Sequence, residues 1–292
     1  MKNVVLPVQN HNPNMTTLEL SAILAAASVG AGFLGSLTGL GGGVVIIPLL
    51  TLGLGIDIRY AIGASLVSVI ATSSGAAAAY VREGFSNIRI GMFLEIATTL
   101  GALGGAAIAL HVAPSVIAVV FGCVLLYSAY QTFRASPADH ENVPEDRLAT
   151  RLRMNGTFPT PSGVRSYNVK SVPAGFGLMA LAGVLSGLLG IGSGALKVIA
   201  MDRVMKIPFK VSTTTSNFMI GVTAAASAGV YLNRGYIDPG LVMPIMLGVL
   251  GGSWLGARFL AAARTRSLRI IFALTIVALG AEMIYKGARG GL

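Results

Sequence analysis

The chain has 292 residues, of which 54% are hydrophobic and only 11% are charged, and its mean hydropathy is +0.75. These values exclude an ordinary soluble domain and are typical of a protein embedded in a lipid bilayer. The formal net charge is +10, but the Lys and Arg residues lie between long apolar runs rather than along one face. We therefore interpret this charge as a topology signal and exclude nucleic acid as a partner.

Apolar segments occur in two series of five, which predicts an all-α integral membrane protein. The first series covers residues 18–37, 43–54, 61–81, 90–110 and 114–133. The second covers residues 174–189, 195–201, 213–232, 241–260 and 268–285. A polar, proline-rich stretch separates them and is predicted to be a solvated linker. The predicted domains are an N-terminal tail at 1–17, a first membrane repeat at 18–133, the linker at 134–172, a second membrane repeat at 173–287 and a C-terminal tail at 288–292.

A constant shift of 151 residues superposes the two series without a gap. The matched pairs include Gly39 with Gly190, Gly41 with Gly192, Gly43 with Gly194, Ser65 with Ser216, Thr72 with Thr223, Gly101 with Gly252 and Gly105 with Gly256. Five segments per series is an odd number, so the second series must start on the opposite side of the membrane. The sequence thus predicts two inverted-topology repeats. The second segment of each series is short, so the first two segments are expected to form a hairpin broken by glycine, whether it spans the bilayer or re-enters it.

The positions of the basic residues orient this arrangement in the cell (inner) membrane. Cytoplasmic loops are enriched in Lys and Arg, and one side of the predicted topology takes most of the 21 basic residues. We therefore expect a multi-pass protein with both termini extracytoplasmic and the linker 134–172 in the cytoplasm.

The glycine-rich breaks are the first candidate for chemistry. Residues 39–43 read GLGGG and residues 190–194 read GIGSG, each interrupting an apolar stretch. A helix that starts at such a break directs its positive end inward, which suits an anion. The alternative is close packing of helices through small residues. The candidate substrate-binding residues in the breaks are Gly41, Gly42, Gly43, Gly192, Ser193 and Gly194.

Polar residues inside the predicted membrane segments are further candidates, because they are costly there. Lys197 either neutralises a bound anion or extends its ammonium to the membrane edge. Glu95 either carries a proton for coupling or makes a structural hydrogen bond. The remaining candidates either cap a helix or bind the oxygen atoms of an anion, and they are Ser65, Thr214, Thr215, Ser216 and Asn217.

The order and duplication of these motifs resemble the sulfite exporter TauE/SafE family. The resemblance rests on the first break followed by Pro48, on residues 61–66 (AIGASL), on the turn at residues 80–84, and on their second-half echoes. It implies a permease for sulfite, organosulfonates or related sulfur-containing anions, with the paired glycine-rich segments central to the transport path. Two departures, Ser193 in place of glycine and the polar run at residues 214–217, lie where we expect substrate choice to be set.

The leading hypothesis is a secondary carrier that moves a small anion by alternating access. No GxxxxGK[ST] motif is present to bind ATP, so the energy would come from the membrane potential, the anion gradient, or a proton or sodium ion. An anion channel is the alternative, since the same breaks could line a pore. An intramembrane enzyme is disfavoured because neither HExxH nor GxSxG occurs. We expect no catalytic residues, cofactor or metal, and leave a homodimer open.

Overall fold

Long helices dominate the fold, as composition predicts. The structure, a computed structural model, describes residues 17–38, 42–82, 86–134, 146–160, 163–262 and 265–290. The first helices are α1 (Thr17–Thr38), α2 (Gly43–Pro48), α3 (Ile58–Arg82), α4 (Ile88–Ala109) and α5 (Pro114–Arg134). Helix α6 (Arg147–Arg151) and strands β1 (Gly156–Thr160) and β2 (Gly163–Tyr167) follow. The later helices are α7 (Val172–Leu189), α8 (Gly194–Ile199), α9 (Phe209–Asn233), α10 (Pro239–Ala262) and α11 (Thr265–Ala288).

The prediction of a helical protein with several apolar helices is confirmed. By length and composition, three described helices can cross a membrane, Ile88–Ala109, Pro114–Gln131 and Val172–Leu189. Shorter apolar helical stretches occur at Leu18–Phe33, Gly43–Gly53, Ile58–Ser74 and Pro239–Leu255. Apolar side chains on these helices, such as Leu100 and Leu247, are 65% and 60% exposed, which suits contact with lipid rather than water.

Helix boundaries recur along the chain at the same spacing as the sequence motifs. Helices α8, α9, α10 and α11 begin 151 residues after α2, α3, α4 and α5 respectively. The packing is matched as well, because α1 lies along α10 while α4 lies along α7, and α3 and α5 pack on their own counterparts α9 and α11. The two series therefore contribute equivalent surfaces to the same bundle.

Glycine permits the closest helix contacts. A Cβ atom at Gly101 of α4 would collide with the carbonyl oxygen of Ala180 on α7. The equivalent contact joins Gly252 of α10 to the carbonyl oxygen of Val29 on α1. Membrane helices pack in this way because small residues let two backbones approach each other.

Both short helices, α2 and α8, continue into a single π-helical turn, Leu49–Gly53 and Ala200–Val204. In the first copy Pro48 lacks the N–H that a regular helix would donate, which favours a change of hydrogen-bond pattern. The Thr51 hydroxyl donates to the Ile47 carbonyl at 2.8 Å and so satisfies one acceptor there. The second copy makes the same turn without a proline, so proline is not the sole cause.

Much of the predicted linker is folded onto the helices. Strands β1 and β2 form an antiparallel hairpin, and the buried side chains of Met154, Tyr167 and Val169 belong to the same apolar cluster as residues of α4 and α7. The Asn87 amide donates to the Tyr167 hydroxyl at 2.7 Å and to the Met154 carbonyl at 3.1 Å. Burial raises the pKa of the Tyr167 hydroxyl, and the hydrogen bond with Asn87 partly opposes this. The prediction of a solvated linker followed from the polar composition of residues 134–172 and did not identify these buried apolar side chains.

We predict that Gly101→Ala destabilises the protein and that Gly104→Ala does not. Overpacking against a backbone atom costs about 1–3 kcal/mol because no side-chain rotation can relieve it. At Gly104 an added Cβ meets nothing within 4 Å, and alanine is the better helix former. Thermal unfolding in detergent measures the difference. Equal midpoints for the two variants would contradict the close contact of α4 and α7.

Candidate functional site

The chain before α8 adopts unusual backbone conformations that only a few residues tolerate. Gly190 and Gly192 both have φ of +69°, and Ser193 has φ of +45°. Glycine enters this left-handed region without a steric penalty, whereas serine is strained there. The Ser193 hydroxyl donates to the Ala182 carbonyl of α7 at 2.7 Å, which holds the strained residue in place.

The two glycine-rich breaks lie against each other. The Ser65 hydroxyl of α3 donates to the Gly190 carbonyl at 2.8 Å, and a Cβ atom on Gly43 would collide with that same hydroxyl. The repeat counterpart of Ser65, Ser216 of α9, donates to the Gly194 carbonyl at 3.2 Å. Gly42 is buried at the start of α2, and the predicted site residue Gly41 lies outside the described residues.

Lys197 of α8 is fully buried, with 0% of its surface exposed. Its ammonium donates to the Thr223 hydroxyl of α9 at 2.6 Å. The hydroxyl in turn lies 2.7 Å from Oε1 of Glu95 on α4 and 2.9 Å from the Met219 carbonyl, and it can donate to either acceptor. The Lys197 ammonium does not reach the surface of the bundle, so extension to the membrane edge has no support.

Glu95 completes this buried polar cluster. The carboxyl is 8% exposed and accepts a second hydrogen bond at Oε1, from the Thr99 hydroxyl at 3.0 Å. Its Oε2 atom is buried and has no hydrogen-bond partner among the described residues. An ionised carboxylate prefers two or more donors, so this oxygen is positioned to take a proton or to lie beside a ligand. We call Lys197, Thr223 and Glu95 the Lys–Thr–Glu cluster.

Three of the four remaining candidates on α9 bond to nearby backbone. The helix begins at Phe209, so they lie beyond its cap, contrary to the capping alternative. The Thr214 hydroxyl lies 3.0 Å from the Lys210 carbonyl of its own helix, and the Thr215 hydroxyl accepts the Asn87 backbone N–H at 3.0 Å. Asn217 is half-buried.

Thr223 is the member that sequence reasoning missed. It was visible only as the repeat counterpart of Thr72, whose own hydroxyl lies 3.1 Å from the Ser68 carbonyl of its helix. The repeat counterparts of Lys197 and Glu95 are Ile46 and Met246. The repeat-related position of this site therefore has no charged side chain in place of either residue. The described residues contain no group of three His, Cys, Asp or Glu side chains suited to a metal ion.

We predict strong coupling between Lys197 and Glu95 in a double-mutant cycle of Lys197→Met and Glu95→Gln. Removing one member of a buried pair leaves an uncompensated charge and costs about 3–5 kcal/mol, so the double variant should be much less destabilised than the sum of the single ones. Thermal unfolding at neutral pH measures this coupling.

The control cycle uses Lys286→Met and Glu282→Gln. These partly exposed partners on α11 lie 3.8 Å apart, and such a pair contributes about 0.2–0.5 kcal/mol. Coupling no larger in the buried cycle than in this one would contradict an interaction across Thr223.

Comparison with known proteins gives a consistent result. The family model described as "Sulfite exporter TauE/SafE" matches residues 24–283. A "Probable membrane transporter protein YunE" of Bacillus subtilis is 26% identical over 91% of this chain and 97% of its own length. Probable membrane transporter proteins of Xylella fastidiosa and Methanocaldococcus jannaschii are 24% and 22% identical over 91% and 87% of this chain, and over 96% and 91% of their own lengths. No solved structure matches. The chain therefore belongs to the sulfite exporter TauE/SafE family of multi-pass membrane transporters.

Proposed function

We propose that this chain is a secondary transporter for a small sulfur-containing anion of the sulfite or organosulfonate type. The observation that carries this proposal is Lys197, a wholly buried ammonium three residues after the break at Gly194. A cation buried in a membrane bundle is costly and marks a substrate or ion path. The family name supplies the class of anion, and the names of the relatives supply transport.

The substrate pathway would run between the two series of helices. Ser65 of α3 donates to Gly190 of the second break and lies against Gly43 of the first. The Lys–Thr–Glu cluster connects α4 of the first series to α8 and α9 of the second. A site built from both series changes its access when one series rocks against the other, and inverted repeats are the recurring basis of such alternating access. The recurrence of helix boundaries at 151 residues supports this mechanism.

In the proposed site, the positive charge of the Lys197 ammonium attracts the anion, and its N–H groups donate hydrogen bonds to it. An ammonium carries three donors, and within the described residues that of Lys197 makes one hydrogen bond, to Thr223. The remaining donors suit the oxygen atoms of a sulfite or sulfonate group. We also propose Ser193, which precedes Lys197 at the start of α8, and the polar run at residues 214–217, which precedes Thr223 on α9, as determinants of substrate choice.

Uptake into proteoliposomes tests this function. We predict saturable uptake and counterflow of at least one of labelled sulfite, sulfate, taurine and sulfoacetate. Lys197→Ala should lose most of the affinity, since a hydrogen bond to a charged group contributes about 1.5–3 kcal/mol, or roughly tenfold to a hundredfold. Ser193→Ala should alter the preference among the anions.

The surface variant Lys286→Ala serves as the control and should behave as the wild type, because Lys286 pairs with exposed Glu282. Unchanged affinity in both Lys197→Ala and Ser193→Ala would remove the proposed site. An ohmic, unsaturable current would replace the carrier by an anion channel.

The proposed orientation places both termini outside the cell and residues 134–172 in the cytoplasm. In a Cys123→Ala background, needed because Cys123 is exposed, we predict that Val164→Cys reacts with a membrane-impermeant thiol reagent only from the cytoplasmic side. Val164 is 75% exposed on β2, so access does not limit the reaction. Asn233→Cys, at the exposed end of α9, should react only from outside. The reverse pattern would overturn this topology.

A further inference from the structure

Glu95 faces the same buried position as Lys197 and is linked to its ammonium through the Thr223 hydroxyl. Helix α4 packs against α7, which has no titratable side chain, and against α9, whose titratable side chains are Lys210 and Tyr231 near its two ends. Lys210 is 13 residues from Thr223, roughly 20 Å along the helix. Among the described residues, Lys197 on α8 is thus the charged group linked to Glu95 by a shared hydrogen-bond partner.

The Thr223 hydroxyl separates the two charges. It accepts from the ammonium at 2.6 Å and has two acceptors within reach, Oε1 of Glu95 at 2.7 Å and the Met219 carbonyl at 2.9 Å. Rotation of the Thr223 hydroxyl about its C–O bond therefore moves its hydrogen bond from the Glu95 carboxyl to the Met219 carbonyl. The interaction of Lys197 with Glu95 can be broken in this way without breaking the helix, and the ammonium keeps its hydrogen bond.

The cost of a net charge in a low-dielectric interior restricts which charge states the Lys–Thr–Glu cluster can adopt in the bilayer. With Glu95 ionised and no anion bound, the cluster is neutral. Adding a monovalent anion alone gives a net charge of −1, and adding a proton alone gives +1, both of which are costly in a low-dielectric interior. Adding the anion and the proton together restores neutrality. The two favourable states therefore differ by one anion plus one proton.

We propose that the Glu95 carboxylate is the internal counter-ion of Lys197 that the transported anion displaces, so that each monovalent anion binds together with one proton on Glu95. This inference rests on the anion-transport function proposed above and adds its coupling ion, the proton. The Oε2 atom, buried and without a hydrogen-bond partner among the described residues, is the place for that proton. Thr223 acts as a positioning residue that holds the two groups within reach of each other. Transport of the pair is electroneutral, and an outward or inward pH gradient drives it.

Methanesulfonate is the probe for this coupling, because its sulfonate stays ionised at every pH of interest and any proton taken up must come to the protein. Binding to the purified wild type in a weakly buffered solution should remove about one proton per anion from the medium, by linkage. By the same linkage, the dissociation constant should rise about tenfold for each pH unit over the pH range in which one proton is taken up with each anion. This measurement needs no variant.

Glu95→Gln tests the assignment, since the amide is close in shape to the protonated acid. Its dissociation constant for methanesulfonate should not change with pH, and a pH gradient should no longer drive accumulation in proteoliposomes. The control Glu282→Gln removes a half-exposed carboxylate from α11 and should keep the wild-type pH dependence. Thr223→Val should weaken binding more than Thr72→Val, whose hydroxyl bonds only within its own helix in the described structure.

The possible failures separate the two proposals. Wild-type counterflow of methanesulfonate with no proton uptake and a pH-independent dissociation constant would overturn the coupling and leave the anion carrier standing. Loss of binding in a folded Glu95→Gln protein, or accumulation by that variant in response to a pH gradient, would overturn it as well. Absence of counterflow in the wild type for methanesulfonate and for all four anions named above would instead remove the transport function, and the coupling with it.

Discussion

The cost of a buried charge in a membrane is the constraint on which this site depends. Lys197 is fully buried, and removal of an ion from water costs several kcal/mol that only a partner charge and hydrogen bonds can offset. Thr223 and Glu95 provide both, from two other helices. In the proposed mechanism, a bound anion competes with the Glu95 carboxylate for the Lys197 ammonium, so anion binding is linked to the protonation of that carboxyl.

The packing around the cluster explains how three helices meet there. Helix α4 approaches α7 closely through glycines such as Gly101 and Gly183, which places Glu95 near the bundle interior. Helix α8 is too short to cross a membrane, and its start lies beside α3 and α9 because Ser65 and Ser216 bond to the carbonyls of Gly190 and Gly194. Small residues thus bring the charged side chains together.

Sequence reasoning predicted the apolar helices, and it singled out Lys197 and Glu95, because hydrophobic runs, glycine motifs and isolated charges are local signals. It did not join these two residues, since the contact between Glu95 and Thr223 spans 128 residues and depends on helix packing. It also predicted that residues 134–172 are solvated, because most residues of this segment are polar. Met154 and Val169 of the same segment are buried in the structure. The hydroxyl of Ser193 proved to bond to Ala182, a contact that no spacing rule predicts.

An experimental structure of the protein with bound 2-bromoethanesulfonate tests most directly whether Lys197 receives the anion. The bromine atom gives an anomalous signal that locates the ligand independently of side-chain density. We predict sulfonate oxygens at about 2.7–2.9 Å from the Lys197 ammonium, as in other charge-assisted hydrogen bonds, and a Glu95 carboxyl shifted away from Thr223. A ligand bound elsewhere, with the Lys–Thr–Glu cluster unchanged, would contradict the proposed site.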